Sequence, residues 1–313
     1  MLRLVGYRLG LAVVLLVVVS ALTFGLTAIA PGDPVATILG SGATPEAVAA
    51  MRISLGLDDP IVVQYWRWLQ DAVVGDFGTS MVSGQAVSAA IGDRLPVTLS
   101  LVLLATAVSA VAGIALGMIS AIRGGVLGRI TDVLAIGGYV IPNFWLGLML
   151  VLIFAVQFAW LPATGYVGFA QDPPGWLRSL ILPIIAVSLM GVTAIAKQTR
   201  DAMRQVMGTE FIMVLRADGF SERRIIFSHA LRNAAIPIVT GTGVLFVGMF
   251  GGTVLIESVF VLPGIGTLAV SAARSGDITT LQGVAVVFCL VVIVANVIVD
   301  LLYGWLNPKV RTQ

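Results

Sequence analysis

Six stretches of this chain, residues 9–30, 97–122, 133–160, 179–196, 234–256 and 278–299, contain no Asp, Glu, Lys or Arg and are dominated by apolar side chains. Within a hydrocarbon layer no solvent can satisfy backbone N–H and C=O groups, so a crossing segment must bond to itself as a helix or close into a barrel. About 20 apolar residues in a helix cover the ~30 Å of a bilayer core. The six runs therefore predict an all-α, polytopic membrane protein with six transmembrane helices. The fourth run is the shortest and carries Pro183, while Pro142 and Pro237 lie in or at the start of other runs. A kink there is tolerated if neighbouring groups recover the freed carbonyls.

Composition points the same way. Hydrophobic residues make up 58% of the chain and charged residues 11%, against roughly 25% charged in soluble domains. The net charge of +2 offers no electrostatic case for nucleic acid. The distribution of Lys and Arg fixes the expected orientation. With the N-terminus inside, the inner segments hold Arg3, Arg8, Arg123, Arg129, Lys197, Arg200, Arg204, Arg216, Arg223, Arg224, Arg232, Lys309 and Arg311, which is 13 of the 18. Arg52, Arg67, Arg94, Arg178 and Arg274 fall outside. Positive-inside bias thus places both termini in the cytoplasm. The first run exceeds a usual signal-peptide core of about 7 to 15 residues, so it is expected to remain as a span rather than be cleaved.

Residues 31–96 form an extracytoplasmic segment between the first two runs. It opens on "PGDP", a proline-enforced turn. A short helix comes next, capped by Thr44 with Pro45 at its first position. "VVQYWRWLQDAVVGDFG" then sets Tyr65, Trp66, Trp68 and Leu69 in a helical pattern, read as interfacial anchoring and packing, with partner docking as the sharper alternative.

Several chemistries lack their residues. The two lysines, Lys197 and Lys309, are followed by Gln198 and Val310, so no phosphate-cradling loop ending in Lys-Ser or Lys-Thr exists. The sole histidine, His229, has no partner for a metal pair, and no nucleophile elbow appears. The single cysteine, Cys289, excludes an internal disulfide and reads as a small packing residue. Catalytic and metal residues are thus expected to be absent. Every Asp, Glu, Lys and Arg falls at a run's end or outside it, with Asp132, Glu257, Asp277 and Asp300 at borders. A proton- or voltage-driven carrier would need buried charges, so the energy for uphill transport must come from elsewhere.

Residues 197–233 form the longest inner loop, and "RADGFSERRIIFSHALRNAAIP" at 216–237 is its polar heart. Helix formers fill 199–218, Gly219 supplies a stop, and Ser221 with Glu222 can start a second helix. Phe220, Phe227 and Leu231 recur at seven and four residues as one apolar stripe, with Arg216, Arg223, Arg224 and Arg232 around it. Such a two-helix element suits insertion into a groove on a soluble partner. An interfacial helix on anionic lipid is the alternative. A DNA-binding helix-turn-helix would be trapped between membrane spans.

This loop resembles the cytoplasmic coupling loop of the permease subunits of ABC importers for dipeptides, oligopeptides and nickel. Gly219 stands at the family's characteristic glycine, and "HALRNAAIP" has the form seen in the peptide branch. "APGDP" at 30–34, "LGLDDPIVVQYWRWL" at 55–69, "GDFGTS" at 75–80, "RLPVTLSL" at 94–101 and "ESVFVLPGIG" at 257–266 stand in the family's order. Met213-Val214-Leu215 replaces the Glu-Ala-Ala that often precedes the glycine.

The resemblance implies a type I ABC importer permease fold and a set of roles. Ala217, Asp218, Gly219, Phe220, Ser221 and Arg223 would match the short helix seated in a cleft of the ATPase, and Arg216 would belong to the same ATPase-coupling element. Arg224, His229, Arg232 and Asn233 would match the segment leading back to the membrane. Glu257, Pro263 and Gly266 would match an outer-face signature, read as structural. The implied partners are a homologous second permease, two cytoplasmic ATPases that bind ATP and Mg, an extracytoplasmic solute-binding protein and membrane lipid. The chain itself would bind no cofactor. The implied organisation is residues 1–30 with the first span, the segment 31–96, and a five-helix core over 97–313. Alternating access would carry a peptide, a nickel chelate or glutathione inward across the bacterial cytoplasmic membrane. A facilitator needing no ATPase and an intramembrane enzyme are the contrasting classes.

Overall fold

The computed structural model describes residues 2–29, 35, 39, 43–54, 56–123, 125–126, 128, 133, 137–138 and 141–306. The PGDP turn, Arg129, Asp132, Lys309, Arg311 and the side chains of Arg3 and Arg8 lie outside what is described. Regular structure among the described residues is helical: α1 (Leu2–Ile29), α2 (Pro45–Ser54), α3 (Ile61–Val73), α4 (Val87–Arg123), α5 (Asn143–Leu150), α6 (Pro173–Met207), α7 (Glu210–Ala217), α8 (Glu222–Gly252), α9 (Val254–Val259), α10 (Ile265–Ser275) and α11 (Ile278–Leu306). A π-helix over Val151–Gln157 continues α5, and a second, Ile225–Ala230, lies within α8.

Four of these helices, α4, α6, α8 and α11, are long and apolar enough to cross a bilayer. Shorter apolar helices, Gly10–Leu26 and Asn143–Gln157, fall inside the first and third runs. The helices outlast the runs that predict them. α4 begins at Val87 rather than at 97 and passes through Pro96; α6 continues to Met207, well past 196. Its 37 residues make α4 ~55 Å long, far more than a hydrocarbon core requires. Helical hydrogen bonding does not stop where water begins, so charged turns with Asp93, Arg94, Arg200 and Arg204 simply extend the spans.

The chain forms two compact units. One comprises Thr98–Leu262 with the chain from Ala295 onward. Its central element is α6, 67% buried along its apolar window against 28% for α4 and 11% for α11. This is the run with the shortest apolar stretch. Its buried Ser179, Ser188, Thr193 and Thr199 lower its hydropathy because it faces protein, and the Ser109 hydroxyl of α4 donates to the Ser188 carbonyl at 3.2 Å. Small residues set the closeness of α4 and α6. A Cβ on Gly113 would stand 2.7 Å from Cβ of Ile195, and one on Gly117 2.5 Å from the Ala196 carbonyl oxygen. Lipid supplies no hydrophobic drive between helices, so such backbone approach is a main source of cohesion.

The other unit comprises Leu2–Val97 and Pro263–Val294. As the sequence predicts, the Ala47 N–H donates to Thr44 Oγ1 at 3.3 Å to cap α2. Tyr65 and Trp68 of α3 pack on Phe24 of α1, with ring centroids 5.5 and 6.1 Å away, and the Tyr65 hydroxyl lies 2.9 Å from that of Ser20. Trp66 is left 59% exposed. Val87, Ile91, Ile265 and Val284 form this unit's apolar centre. Beside it Asp277 is buried, caps α11 through the Thr280 N–H at 3.3 Å and accepts from the hydroxyls of Thr280 and Ser80 at 2.7 and 2.5 Å. The "GDFGTS" segment is thereby tied to the last helix, with the Met81 N–H adding a bond at 3.3 Å.

Candidate functional site

The 197–233 loop folds as a hairpin whose bend is set by Gly219. α7 ends in a Schellman motif: the Gly219 N–H donates to the Arg216 carbonyl and the Phe220 N–H to the Leu215 carbonyl, both at 3.1 Å. That pair of bonds requires a left-handed residue between them, and Gly219 has φ +80°. Asp218 is the C-cap, its N–H donating to Val214 at 2.9 Å, and Ala217 is the exposed last residue of α7. Across the bend Arg216 grips Glu222, Nε to Oε1 at 2.6 Å and Nη2 to Oε2 at 3.3 Å. These bonds hold the Glu222 carboxyl below its ordinary range and raise the Arg216 guanidinium. A depressed carboxylate contributes its pairing above its unfolded pKa, and the clamp is lost as pH falls through the folded value.

Ser221 does not cap through its side chain. Its carbonyl instead accepts the N–H groups of Arg224 and Ile225 at 2.9 and 3.0 Å, while Glu222 is held by Arg216. Expectation and structure also part at 199–218, where Gly208 and Thr209 separate α6 from α7.

The apolar stripe is a second correction. Phe220 and Leu231 are half-buried, but Phe227 is 55% exposed. The i→i+5 bonding of the π-helix adds a residue to its turn and shifts the phase of the residues beyond it. The buried line therefore runs Ile225, Ile226, Ala230, Ala234 and Ile238, meeting Ile212 and Leu215 of α7 and Ile195 and Met203 of α6. His229 lies edge-on to Phe211 and Phe220, at 6.1 and 5.8 Å, with Nε2 buried and lacking a hydrogen-bond partner among the described residues. Arg224 stacks over Phe220 at 5.0 Å, and Asn233 Nδ2 donates to the His229 carbonyl at 2.9 Å. Arg223 and Arg232 are exposed.

The outer side of the hairpin holds what the sequence reading missed. Phe211, Met213 and Val214 are 48%, 57% and 57% exposed, as is Phe227 at 55%. The signal was present: a helix of eight residues with apolar side chains all round needs cover on both faces.

The 257–266 signature divides between the units. Glu257 belongs to α9 and is wholly buried, accepting the Thr98 hydroxyl at 2.7 Å. A residue 159 positions away in sequence thus helps to hold it, and the bond joins "RLPVTLSL" to "ESVFVLPGIG". α9 ends with the Leu262 N–H on the Glu257 carbonyl at 2.8 Å, around Val261 at φ +52°. A β-branched residue is strained in that conformation. Val261→Gly is expected to raise stability by about 1 kcal/mol, read as a higher melting temperature in detergent. Pro263 precedes α10, and Gly266 is buried in its first turn.

Comparison with known proteins accounts for nearly the whole chain. The sequence pattern of the binding-protein-dependent transport system inner membrane component fits residues 113–312, and that of the corresponding N-terminal membrane component fits residues 1–102. A protein of Brucella abortus (strain 2308), named as a peptide transport system permease, is 41% identical over 305 residues, 97% of either chain. The glutathione transport system permease protein of Salmonella paratyphi A (strain ATCC 9150 / SARB42) is 36% identical over 297 residues, 95% of this chain and 94% of its own. Inward-facing structures of the MetNI methionine ABC transporter share the fold, with a TM-score of 0.54 at 16% identity over 69% of this chain and 96% of that one. A multi-pass membrane protein on all these grounds, this chain belongs to the family of binding-protein-dependent transport system inner membrane components, the permeases of ABC importers.

Proposed function

We propose that the chain is the non-catalytic permease subunit of an ATP-driven importer of di- or oligopeptides. The observation that carries this reading is the two-sided hairpin. Its inner side, Ile212 and Leu215 of α7 with Ile225 and Ile226 of α8, is buried with Ile195 and Met203 of α6 and with Ala234 and Ile238 further along α8, while Phe211, Met213, Val214 and Phe227 are exposed. A push on the outer face reaches two spans through a packed core, which deforms little. Two ATPases carrying ATP and Mg would supply the push from the cytoplasm, where both termini and the 197–233 loop would lie. A solute-binding protein would deliver cargo on the other side, over the segment 31–96, to this subunit and a homologous second permease. Differential contact of the ATPases with the outward- and inward-open states then biases alternating access. Arg216 to Arg224, His229, Arg232 and Asn233 would form the coupling element, and Glu257, Pro263 and Gly266 an outer structural signature.

Peptide cargo follows from the names of the relatives that match end to end; the glutathione permease among them keeps a tripeptide within the same reading. The test is reconstitution in vesicles with a photo-crosslinking residue at Met213. The expected result is uptake of a peptide only when ATP, the sister permease, both ATPases and the binding protein are present, with Met213 linked to an ATPase. Uptake by this chain alone would instead establish a facilitator. A crosslink found only to lipid would remove the hairpin from coupling.

A further inference from the structure

One face of the lower part of α6 is polar and unused by the hairpin. Ala194, Lys197, Gln198, Asp201 and Gln205 recur at the three-to-four-residue spacing of a single helical face. Together with Pro237 of α8 they line an open cavity of about 390 Å³, within the usual size of small-molecule pockets. Gln198 is fixed there, its Nε2 donating to the Pro237 carbonyl at 2.7 Å. A side chain on Gly241 would displace it.

Neither charge is tightly paired among the described residues. Lys197 has no ion-pair or hydrogen-bond partner among the described residues. Asp201 is 58% exposed, and its ion pair among the described residues is a long one, to Arg200 at 3.9 Å. A lysine preceding an acid by four residues is the poorer order for a helical pair, and the backbone rise between the two positions is about 6 Å along the axis. Their identity is informative in a chain where 2 of 18 cationic residues are lysine. An ammonium is a compact point charge without the two-pronged grip of arginine on a carboxylate. That suits a station which must release what it holds.

We infer that this face is a transit site for the free termini of a short zwitterionic peptide: Lys197 takes the carboxylate, Asp201 the ammonium, and the Gln205 amide the peptide bond. Gln198 is a positioning residue that keeps the stripe open against α8. The inference rests on the peptide reading and specifies which chemical groups the permease itself recognises.

The test uses the complete transporter in nanodiscs without nucleotide or binding protein, so that the receptor's own selectivity plays no part. Binding of dialanine, N-acetyl-dialanine and dialanine amide is compared by saturation-transfer NMR. Wild type is expected to favour dialanine about tenfold over either blocked form, as one lost weak charge contact of ~1.4 kcal/mol gives. In Lys197→Gln, amidation should cease to matter while acetylation still does. Asp201→Asn should show the converse, making a closed double-mutant cycle. No wild-type binding, no wild-type preference, or preferences that survive both substitutions would overturn the inference. ATP-driven uptake of dialanine by the wild type with its binding protein is measured in parallel. If uptake is present and the cycle shows no coupling, only the transit site fails; if no peptide is taken up, the peptide reading itself fails.

Discussion

Gly117→Leu is expected to prevent the chain from reaching a stable fold in the membrane. A Cβ at that position would lie 2.5 Å from the Ala196 carbonyl oxygen, 2.6 Å from Cβ of Thr199 and 3.1 Å from the Arg200 backbone nitrogen. Two of these three atoms are backbone, so no rotamer change on α6 relieves the overlap. The helices must separate, and one turn away the fit of Gly113 against Ile195 is lost with them. Overpacking costs about 1–3 kcal/mol in ordinary cores. The leucine lies at or above the top of that range, since the whole side chain needs room between two backbones. About 3 kcal/mol is more than a hundredfold in the folded population. The informative comparison is the same small change at two glycines. Gly117→Ala should lower the melting temperature in detergent, whereas Gly248→Ala, with nothing within 4 Å of its Cβ, should leave it unchanged or raise it through better helix propensity. Equal effects at both positions would mean that α4 and α6 do not pack together at Gly117.

That contrast also shows why the fold was only partly legible in sequence. Runs of apolar residues located the four long helices that can cross a bilayer, because insertion depends on composition, which a sequence displays. Their ends were hidden, because α4 and α6 continue for turns beyond the hydrocarbon with Asp93, Arg94, Arg200 and Arg204 on board. The weakest run by length, 179–196, became the most buried of the four long helices. Burial in protein permits Ser and Thr where lipid exposure would not, so a hydropathy pattern understates a central span. At the hairpin the Gly219 bend was legible, since a glycine after a helix has few other uses. The exposed Phe227 was not, because a π turn shifts the phase of every residue after it and leaves no signature of its own. Glu257 lay at a run's border by position, yet only the fold could bring Thr98 to it.

Gly219→Val should open the 197–233 hairpin, to which we assign coupling, while leaving the spans in place. Nothing lies within 4 Å of a Cβ at 219, so the valine meets no neighbour, and the whole effect falls on the backbone. At φ +80° an L-residue gives up about 1–2 kcal/mol, more when β-branched. The chain can avoid this only by opening the two bonds that terminate α7. Doing so would release the Phe220 contact with the core and separate Arg216 from Glu222. A similar bond around a left-handed residue, from the Leu262 N–H to the Glu257 carbonyl, occurs at Val261, where both Glu257 and Leu262 are buried. The exposed hairpin has no such support. We therefore expect Gly219→Val to strain the hairpin open rather than leave it shut, with peptide uptake falling at least tenfold in reconstituted vesicles and the complex still purifying intact. Gly219→Asn, which tolerates the left-handed region through its short polar side chain, should retain most uptake. If the valine and asparagine variants were equally active, the bend would carry no part of the force. If both prevented assembly, Gly219 would be a folding determinant, and coupling would have to run through another part of the loop.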